Sequence, residues 1–121
     1  FLYTLLVPDR ARTLFPCFDQ PDMKAPFTLS LETPAQWQAI ANGALIQTDT
    51  LPSGRKKVTF KETEPIPTYL FSFVGGRFER VTETHNGRSV SLYHRETDPQ
   101  KRAQCHDILT QVFPILSPNM I

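Results

Sequence analysis

Short apolar segments separated by turn-forming residues run through most of this chain, and this spacing constrains the fold more than any other feature. In the sequence FERVTETHNGRSVSLYH, two segments with alternating polar and apolar residues flank Asn86 and Gly87. Both residues tolerate the positive φ of a type I′ turn, so the pair predicts a two-residue β-hairpin. The sequence LPSG at residues 51–54 predicts a second hairpin in the same way. We therefore predict an all-β fold, either an antiparallel sandwich or a saddle-shaped bent sheet.

Four further segments have the composition of strands. They are FLYTLLV (residues 1–7), FTLSLE (27–32), WQAIANG (37–43) and TYLFSFV (68–74). The last segment is almost continuously apolar, which is typical of a central strand covered on both faces. We expect the glycines Gly75 and Gly76 to end that strand.

One helix is predicted, near the end of the chain. Asp98 is a good N-cap, and Pro99 suits the first helical position because its missing N–H has no partner there. Pro114 must end the helix. Between them, apolar side chains recur at helical spacing and form one stripe, which needs a partner surface: Cys105, Ile108, Leu109 and Val112.

Charge and hydropathy exclude two classes of partner. The 13 Lys and Arg residues balance 12 Asp and Glu residues, and the formal net charge of +1 lacks the basic excess of a nucleic-acid-binding protein. No apolar run approaches the roughly 20 residues that cross a bilayer. We therefore expect neither nucleic acid nor a membrane segment.

The histidines do not form a metal motif. His85, His94 and His106 fall on a predicted turn, strand and helix, and none has the i, i+4 partner of a helical zinc site. Gly75-Gly76 also lacks the context of a phosphate-binding loop. The residues themselves therefore predict no metal ligand, no cofactor and no complete active site in this segment.

Two cysteines and two aspartates are the candidate reactive groups. Cys17 and Cys105 are too far apart in sequence for a metal knuckle, and the apolar surroundings of Cys17 favour an inert thiol with a raised pKa. Asp19 and Asp22 could act as an acid–base pair. Aspartate next to proline is more often a turn former, and we favour that interpretation.

The sequence LFPCFDQPDMKAPF, at residues 14–27, is too rich in proline for a helix and too apolar for a solvated linker. With the residues before it, it resembles the N-terminal β domain of the zinc aminopeptidases related to aminopeptidase N and leukotriene-A hydrolase. The family pattern is an Ala-Arg pair, then Phe-Pro-Cys-Phe-Asp, Glu or Gln, and Pro, followed by Lys-Ala-x-Phe. TYLFSFVGGRF, at residues 68–78, is similar to a later strand of the family. The matching residues are Ala11, Arg12, Phe15, Pro16, Cys17, Phe18, Asp19, Gln20, Pro21, Lys24, Ala25 and Phe27.

The resemblance implies a parent enzyme that removes N-terminal residues from peptide substrates with a bound zinc ion. The zinc-binding and catalytic motifs of that family do not occur in residues 1–121, so they are expected beyond this segment, in a catalytic domain of the same parent chain. We expect the β domain to span residues 1–97, incomplete on its N-terminal side. Residues 98–121 would then form the helix and the start of the catalytic domain.

We expect the proline-rich motif to be a structural corner. Pro16 and Pro21 restrict the backbone, while Phe15, Phe18 and Phe27 fill the core beneath it. Arg12 is expected to pair with Asp19 or to cap nearby carbonyls, and Asp19 to accept hydrogen bonds from loop amides.

Two positions upstream depart from the family. Many relatives place Glu or Gln ten residues before the motif cysteine, where it binds the substrate's amino group. This chain has Val7 there and Leu5 two positions earlier, so the resemblance implies at most a pocket wall from these residues.

Two alternatives remain open. The parent could be a non-catalytic scaffold relative, or the segment could be an unrelated β-sandwich module that binds carbohydrate or protein and uses Trp37 and other exposed aromatics. We also expect the isolated segment to associate with itself, through the edge of FLYTLLV or through the apolar stripe of the helix.

Overall fold

The computed structural model describes residues 1–112, and most of their regular structure is antiparallel β. The strands are β1 (Leu2–Tyr3), β2 (Lys24–Ala25), β3 (Ser30–Thr33), β4 (Gln38–Ala41), β5 (Leu45–Thr50), β6 (Lys56–Phe60), β7 (Ile66–Pro67), β8 (Phe73–Gly76), β9 (Glu79–His85) and β10 (Arg88–His94). Helix α1 (Pro99–Val112) follows them, and short 3₁₀ turns lie at Ala11–Thr13 and Thr68–Leu70. The prediction of antiparallel β structure with one C-terminal helix is therefore confirmed.

The chain divides into two compact units, Phe1–Arg77 and Phe78–Ile121. The first unit contains a sheet of order β1-β8-β4, a sheet of order β3-β6-β5, and the pair β2-β7. The second contains the hairpin β9-β10 and helix α1. The domain boundary expected between residues 97 and 98 concerns the parent protein and stays a prediction. In residues 1–112 no helix has the length and apolar character needed to cross a membrane.

Both hairpins form where the turn residues predict them. Asn86 and Gly87 have φ values of 52° and 76°, which place both in the left-handed region of a type I′ turn. Strands β9 and β10 then pair in register from His85 opposite Arg88 to Glu79 opposite His94. In the other hairpin, Gly54 has a φ of 84° and connects β5 to β6.

The segment TYLFSFV is not one strand. Its first residues form the 3₁₀ turn Thr68–Leu70, and strand β8 begins at Phe73 and includes both glycines that were expected to end it. Gly75 lies inside the strand because it pairs with Leu2 of β1 and Ala39 of β4, and a Cβ atom there would stand 3.5 Å from Trp37 Cε3. The expectation of a central strand is correct, since β8 lies between β1 and β4.

Only Leu2–Tyr3 of the segment FLYTLLV is a strand, so the prediction of a strand over residues 1–7 is too long. After the strand, Leu6 is buried whereas its neighbours Leu5 and Val7 are exposed.

The helix begins as predicted. The Asp98 carboxylate accepts a hydrogen bond from the Gln100 amide at 2.8 Å, and Pro99 is the first helical residue. Within the second unit α1 packs on β9 and β10, with Leu109 only 2% exposed. Of the predicted stripe, Leu109 is buried, Cys105 and Val112 are half-buried, and Ile108 is exposed. The predicted helix end at Pro114 lies outside the described residues.

One ion pair and one histidine–carboxylate contact connect the helix to the same hairpin. Arg102 pairs with Glu79, and His106 Nδ1 lies 3.4 Å from Glu83 Oε1. The hydrogen bond and the charge of Arg102 lower the pKa of Glu79. These pairs are one helical turn apart on α1 and four residues apart on β9, so they run along one line of contact.

The core of the first unit is built around Phe71. Its ring stacks on Phe27 at a centroid distance of 4.9 Å and meets Phe15 edge-on at 5.5 Å. Leu6 and Ala11 complete the buried cluster. Phe71 therefore contacts the proline-rich motif directly, through the rings of Phe15 and Phe27.

Candidate functional site

The proline-rich motif forms a corner, which we define as residues 11–27. It begins with the 3₁₀ turn Ala11–Thr13, in which the Leu14 amide donates to the Ala11 carbonyl at 2.9 Å. A second turn closes where the Met23 amide donates to the Gln20 carbonyl at 3.0 Å. The corner then enters strand β2, whose partner is β7. The chain thus reverses with little regular structure, as Pro16 and Pro21 favour.

Side chains in the middle of the corner alternate between the interior and solvent. Phe15, Cys17 and Asp19 are half-buried, whereas Pro16 and Phe18 are exposed. The expectation that Phe18 fills the core is wrong, because its side chain is 78% exposed. An extended backbone directs successive side chains to opposite faces, so Phe15 and Phe18, three residues apart, cannot both point inward. Period-two alternation applied to the motif itself would have found this.

Asp19 connects the two segments that carry the family resemblance. Its Oδ1 accepts a hydrogen bond from the Thr68 hydroxyl at 2.5 Å, and its Oδ2 accepts one from the Arg12 amide at 3.1 Å. Thr68 begins the TYL turn, 49 positions along the chain, and is buried. The corner and the TYL turn are therefore joined by one carboxylate.

The electrostatics of Asp19 follow from these bonds. The hydrogen bond from Thr68 is the largest cause of a lowered pKa, followed by the Arg12 amide and the Arg12 charge, while partial burial opposes them. The guanidinium of Arg12 makes its ion pair with Asp9, at 3.3 Å, and not with Asp19 as expected. Arg12 thus bonds to Asp19 through its backbone.

Cys17 has the character of a structural thiol. Its side chain packs against the cluster of Leu6, Ala11 and Phe71. Burial is the main cause of its raised pKa, and the negative charge of Asp19 adds to it. Since the thiolate is the nucleophilic form, this environment disfavours nucleophilic chemistry at neutral pH. Cys17 and Cys105 are both half-buried and free.

The remaining predicted residues lie on the surface of the first unit. Leu5 and Val7 are 70% and 52% exposed, on either side of buried Leu6. Lys24 is exposed on β2, as is Asp22 in the turn before it. Asp19 and Asp22 are not joined by a hydrogen bond, and no chemistry of a carboxylate pair follows from their placement.

An open groove of about 250 Å³ lies on the sheet β1-β8-β4. It is lined by Tyr3, Thr4, Ile40, Ala41, Ser72, Phe73 and Val74. Only two of these side chains are aromatic, and Trp37 is not among them, so the groove lacks the aromatic platform expected of a carbohydrate-binding module.

The described part of the chain does not fit a zinc ion. Within residues 1–112 no three His, Cys, Asp or Glu side chains are grouped so that they could hold a metal. His94 instead accepts a hydrogen bond from the Glu96 amide through Nδ1, at 3.1 Å, and His106 faces Glu83. His94 and His106 therefore have local structural partners.

Comparison with known proteins gives a consistent result. A family model described as the peptidase M1 N-terminal domain matches residues 1–70. The chain is 33% identical over 107 residues to glutamyl aminopeptidase of Rattus norvegicus, which covers 88% of this chain and 11% of that protein. It is 36% identical over 91 residues to endoplasmic reticulum aminopeptidase 1 of Homo sapiens, covering 74% of this chain and 10% of that protein.

A third relative comes from another organism. The probable M1 family aminopeptidase 2 of Encephalitozoon cuniculi is 39% identical over 88 residues, which is 71% of this chain and 10% of that protein. The chain thus spans about a tenth of the length of the curated relatives it matches.

Proposed function

The chain belongs to the family of peptidase M1 N-terminal domains, and on this premise we propose that its parent protein is a zinc-dependent aminopeptidase that removes N-terminal residues from peptides. In this proposal the segment is the non-catalytic β domain, and it packs on a catalytic domain of the same parent chain, which holds the zinc ion. The observation that supports it best is the corner, in which Asp19 joins both resembling segments through Arg12 and Thr68.

We further propose that Leu5 and Val7 form part of the wall of the substrate pocket. Both lie directly before the corner, and their exposure leaves them available to contact another part of the parent protein. Aliphatic side chains cannot accept a hydrogen bond from an amino group. In this proposal they therefore shape the pocket, and another part of the parent binds the substrate's amino end.

The domain limits belong to the same proposal. We place the β domain at residues 1–97 and the entry to the catalytic domain at 98–121. The N-cap at Asp98 supports a change of element there, since its carboxylate begins α1.

The first experiment tests the activity of the parent protein. Purified parent should release N-terminal residues from aminoacyl p-nitroanilides, lose this activity with a zinc chelator, and regain it with added zinc. A panel with Glu, Leu and Ala substrates includes the residue named in glutamyl aminopeptidase. Absence of turnover together with absence of bound zinc would favour the scaffold alternative, and turnover that resists chelation would contradict the zinc mechanism.

The second experiment tests the pocket wall in the parent. Leu5→Ala and Val7→Ala should change KM or the preference among substrates, because the wall contacts the bound peptide. Ile46→Ala is a matched control, since Ile46 is also apolar and 61% exposed but lies on β5. Equal KM values and preferences in all three variants would contradict the role of Leu5 and Val7.

Self-association of the isolated segment is a separate proposal. Strand β1 is an edge of its sheet, and Phe1, Leu2 and Tyr3 are each more than half exposed. An open edge with apolar side chains favours pairing with a second copy. The covered position of Leu109 leaves β1, and not the helix stripe, as the surface that supports this proposal.

The unrelated binding module loses its support. The family match covers residues 1–70, more than half of the chain, and Trp37 packs over Gly75.

A further inference from the structure

The chain contains two Asn-Gly sequences in the part that the structure describes, Asn42-Gly43 and Asn86-Gly87. An asparagine before glycine is chemically prone to deamidation, because the following amide nitrogen can reach the side-chain carbonyl carbon without hindrance from a Cβ atom. The two sequences are equivalent by this criterion. Both asparagines are also exposed, so exposure does not distinguish them.

Hydrogen bonding does distinguish them. The Asn42 side chain donates to the Leu70 carbonyl at 2.9 Å and accepts from the Ser72 amide at 2.8 Å. Both partners are backbone groups on either side of buried Phe71. Rotating the Asn42 carboxamide toward Gly43 would break both bonds and leave both backbone groups without this partner.

The space around the two glycines also differs, and it too favours reaction at Asn86 over Asn42. A Cβ atom on Gly43 would lie 1.9 Å from the Lys61 carbonyl oxygen, so this peptide is confined against another segment of backbone. A Cβ atom on Gly87 would meet no atom within 4 Å. A cyclic intermediate therefore has room at Gly87 and none at Gly43.

Asn86 lies at the tip of the hairpin β9-β10 with an exposed side chain. In residues 1–112 no hydrogen bond holds that side chain, unlike the side chain of Asn42. Its backbone is in the left-handed region, at φ 52°, between the paired residues His85 and Arg88.

We propose that Asn86 is a site of spontaneous deamidation in the native protein and that Asn42 is protected from it. The amide nitrogen of Gly87 loses its proton and bonds to Cγ of Asn86, and the side-chain amide leaves as ammonia. The resulting cyclic imide takes up one water molecule and opens to aspartate or to isoaspartate. The reaction consumes water and releases ammonia, with no oxidation or reduction.

The modification changes the hairpin in two ways. Each product carries a carboxylate, so one conversion takes the formal net charge from +1 to zero. Aspartate keeps the turn, since Asp-Gly also suits a type I′ hairpin. Isoaspartate adds a carbon atom to the backbone between His85 and Arg88, which are paired across the turn. This product should weaken the register of β9 and β10.

The test compares both sites within one molecule. The native protein is incubated at mildly alkaline pH, digested and mapped by mass spectrometry, with isoaspartate identified by isoaspartyl methyltransferase labelling. Asn86 should convert at least about tenfold faster than Asn42, since opening the Asn42 site costs two hydrogen bonds. In urea the two sites should convert at similar rates. Asn86→Asp provides the standard for the aspartate product, and Asn86→Gln should remove the reaction at this position.

Circular dichroism before digestion shows that the protein is folded during the incubation. Equal native rates at the two sites would overturn the proposal. So would a native Asn86 that does not convert over a period in which both sites convert in urea.

Discussion

Replacing Gly43 with alanine should destabilise the first unit because the added methyl group has no place to go. Its Cβ would lie 1.9 Å from the Lys61 carbonyl oxygen and 2.9 Å from the carbonyl carbon. Both are backbone atoms, which cannot rotate away as a side chain can. The two segments are also joined by the Lys61 amide, which donates to the Ala44 carbonyl at 2.7 Å.

The magnitude follows from this geometry. Contacts of a Cβ atom below 3.0 Å essentially never occur and ordinary contact begins at 3.4 Å, so the segments must separate by more than about 1 Å. Overpacking of this kind costs about 1–3 kcal/mol. Loss of the hydrogen bond between Lys61 and Ala44 adds about 1 kcal/mol, while the reduced freedom of the unfolded chain returns about 0.5–1 kcal/mol. We expect Gly43→Ala to lower the free energy of unfolding by about 1–3.5 kcal/mol.

Gly75→Ala is the matched control. Gly75 is another glycine of the first unit, buried where Gly43 is half-buried, but a Cβ there would lie 3.5 Å from the Trp37 ring, an ordinary contact. Neither glycine has a positive φ, so backbone strain does not distinguish them. We expect Gly75→Ala to change the free energy of unfolding by less than about 1 kcal/mol.

The assay is urea unfolding followed by the fluorescence of Trp37. It is the only tryptophan in the sequence and lies in the first unit, so its signal reports on that unit. In thermal unfolding, the expected loss for Gly43→Ala corresponds to a decrease of the melting temperature by roughly 10 °C. An unchanged midpoint for Gly43→Ala, or an equal decrease for Gly75→Ala, would refute the steric argument.

Three further predictions concern the core, the corner and the sheet edge. Phe60→Ala should lower the free energy of unfolding by about 3–5 kcal/mol, because the Phe60 side chain is 2% exposed. Phe18→Ala should change this free energy by less than about 0.5 kcal/mol in the same urea titration, because Phe18 is 78% exposed. Because the folded-state pKa of Asp19 is lowered, its contribution to stability should be present above about pH 4 and be lost as the pH falls through that lowered pKa. Thr68→Val should move acid unfolding to higher pH, and Thr68→Ser should not; identical acid midpoints would contradict the role of this bond. Tyr3→Lys should reduce self-association in light scattering across a concentration series, and a monodisperse monomer of the unmodified protein would contradict that proposal.

The elements that could be predicted from the sequence depend on local chemistry. The turn at Asn86-Gly87 follows from two residues that tolerate a positive φ, and the start of α1 follows from the carboxylate of Asp98 and from Pro99. These preferences act within a few residues, so a single sequence contains the information. The family resemblance could be identified from the sequence for a similar reason, because its motif residues are close together in the chain.

Other features depended on partners that are distant in sequence. Gly75 belongs to the interior of β8 because it pairs with Leu2 on one side and Ala39 on the other. Asp19 accepts a hydrogen bond from the Thr68 hydroxyl rather than from the guanidinium of Arg12. Phe18 faces solvent because Cys17 and Asp19 occupy the inner face. The composition of a segment states which side chains are apolar, but burial depends on which surface another segment covers. Long-range packing decides which apolar side chains are buried, so their burial could be determined only from the tertiary structure.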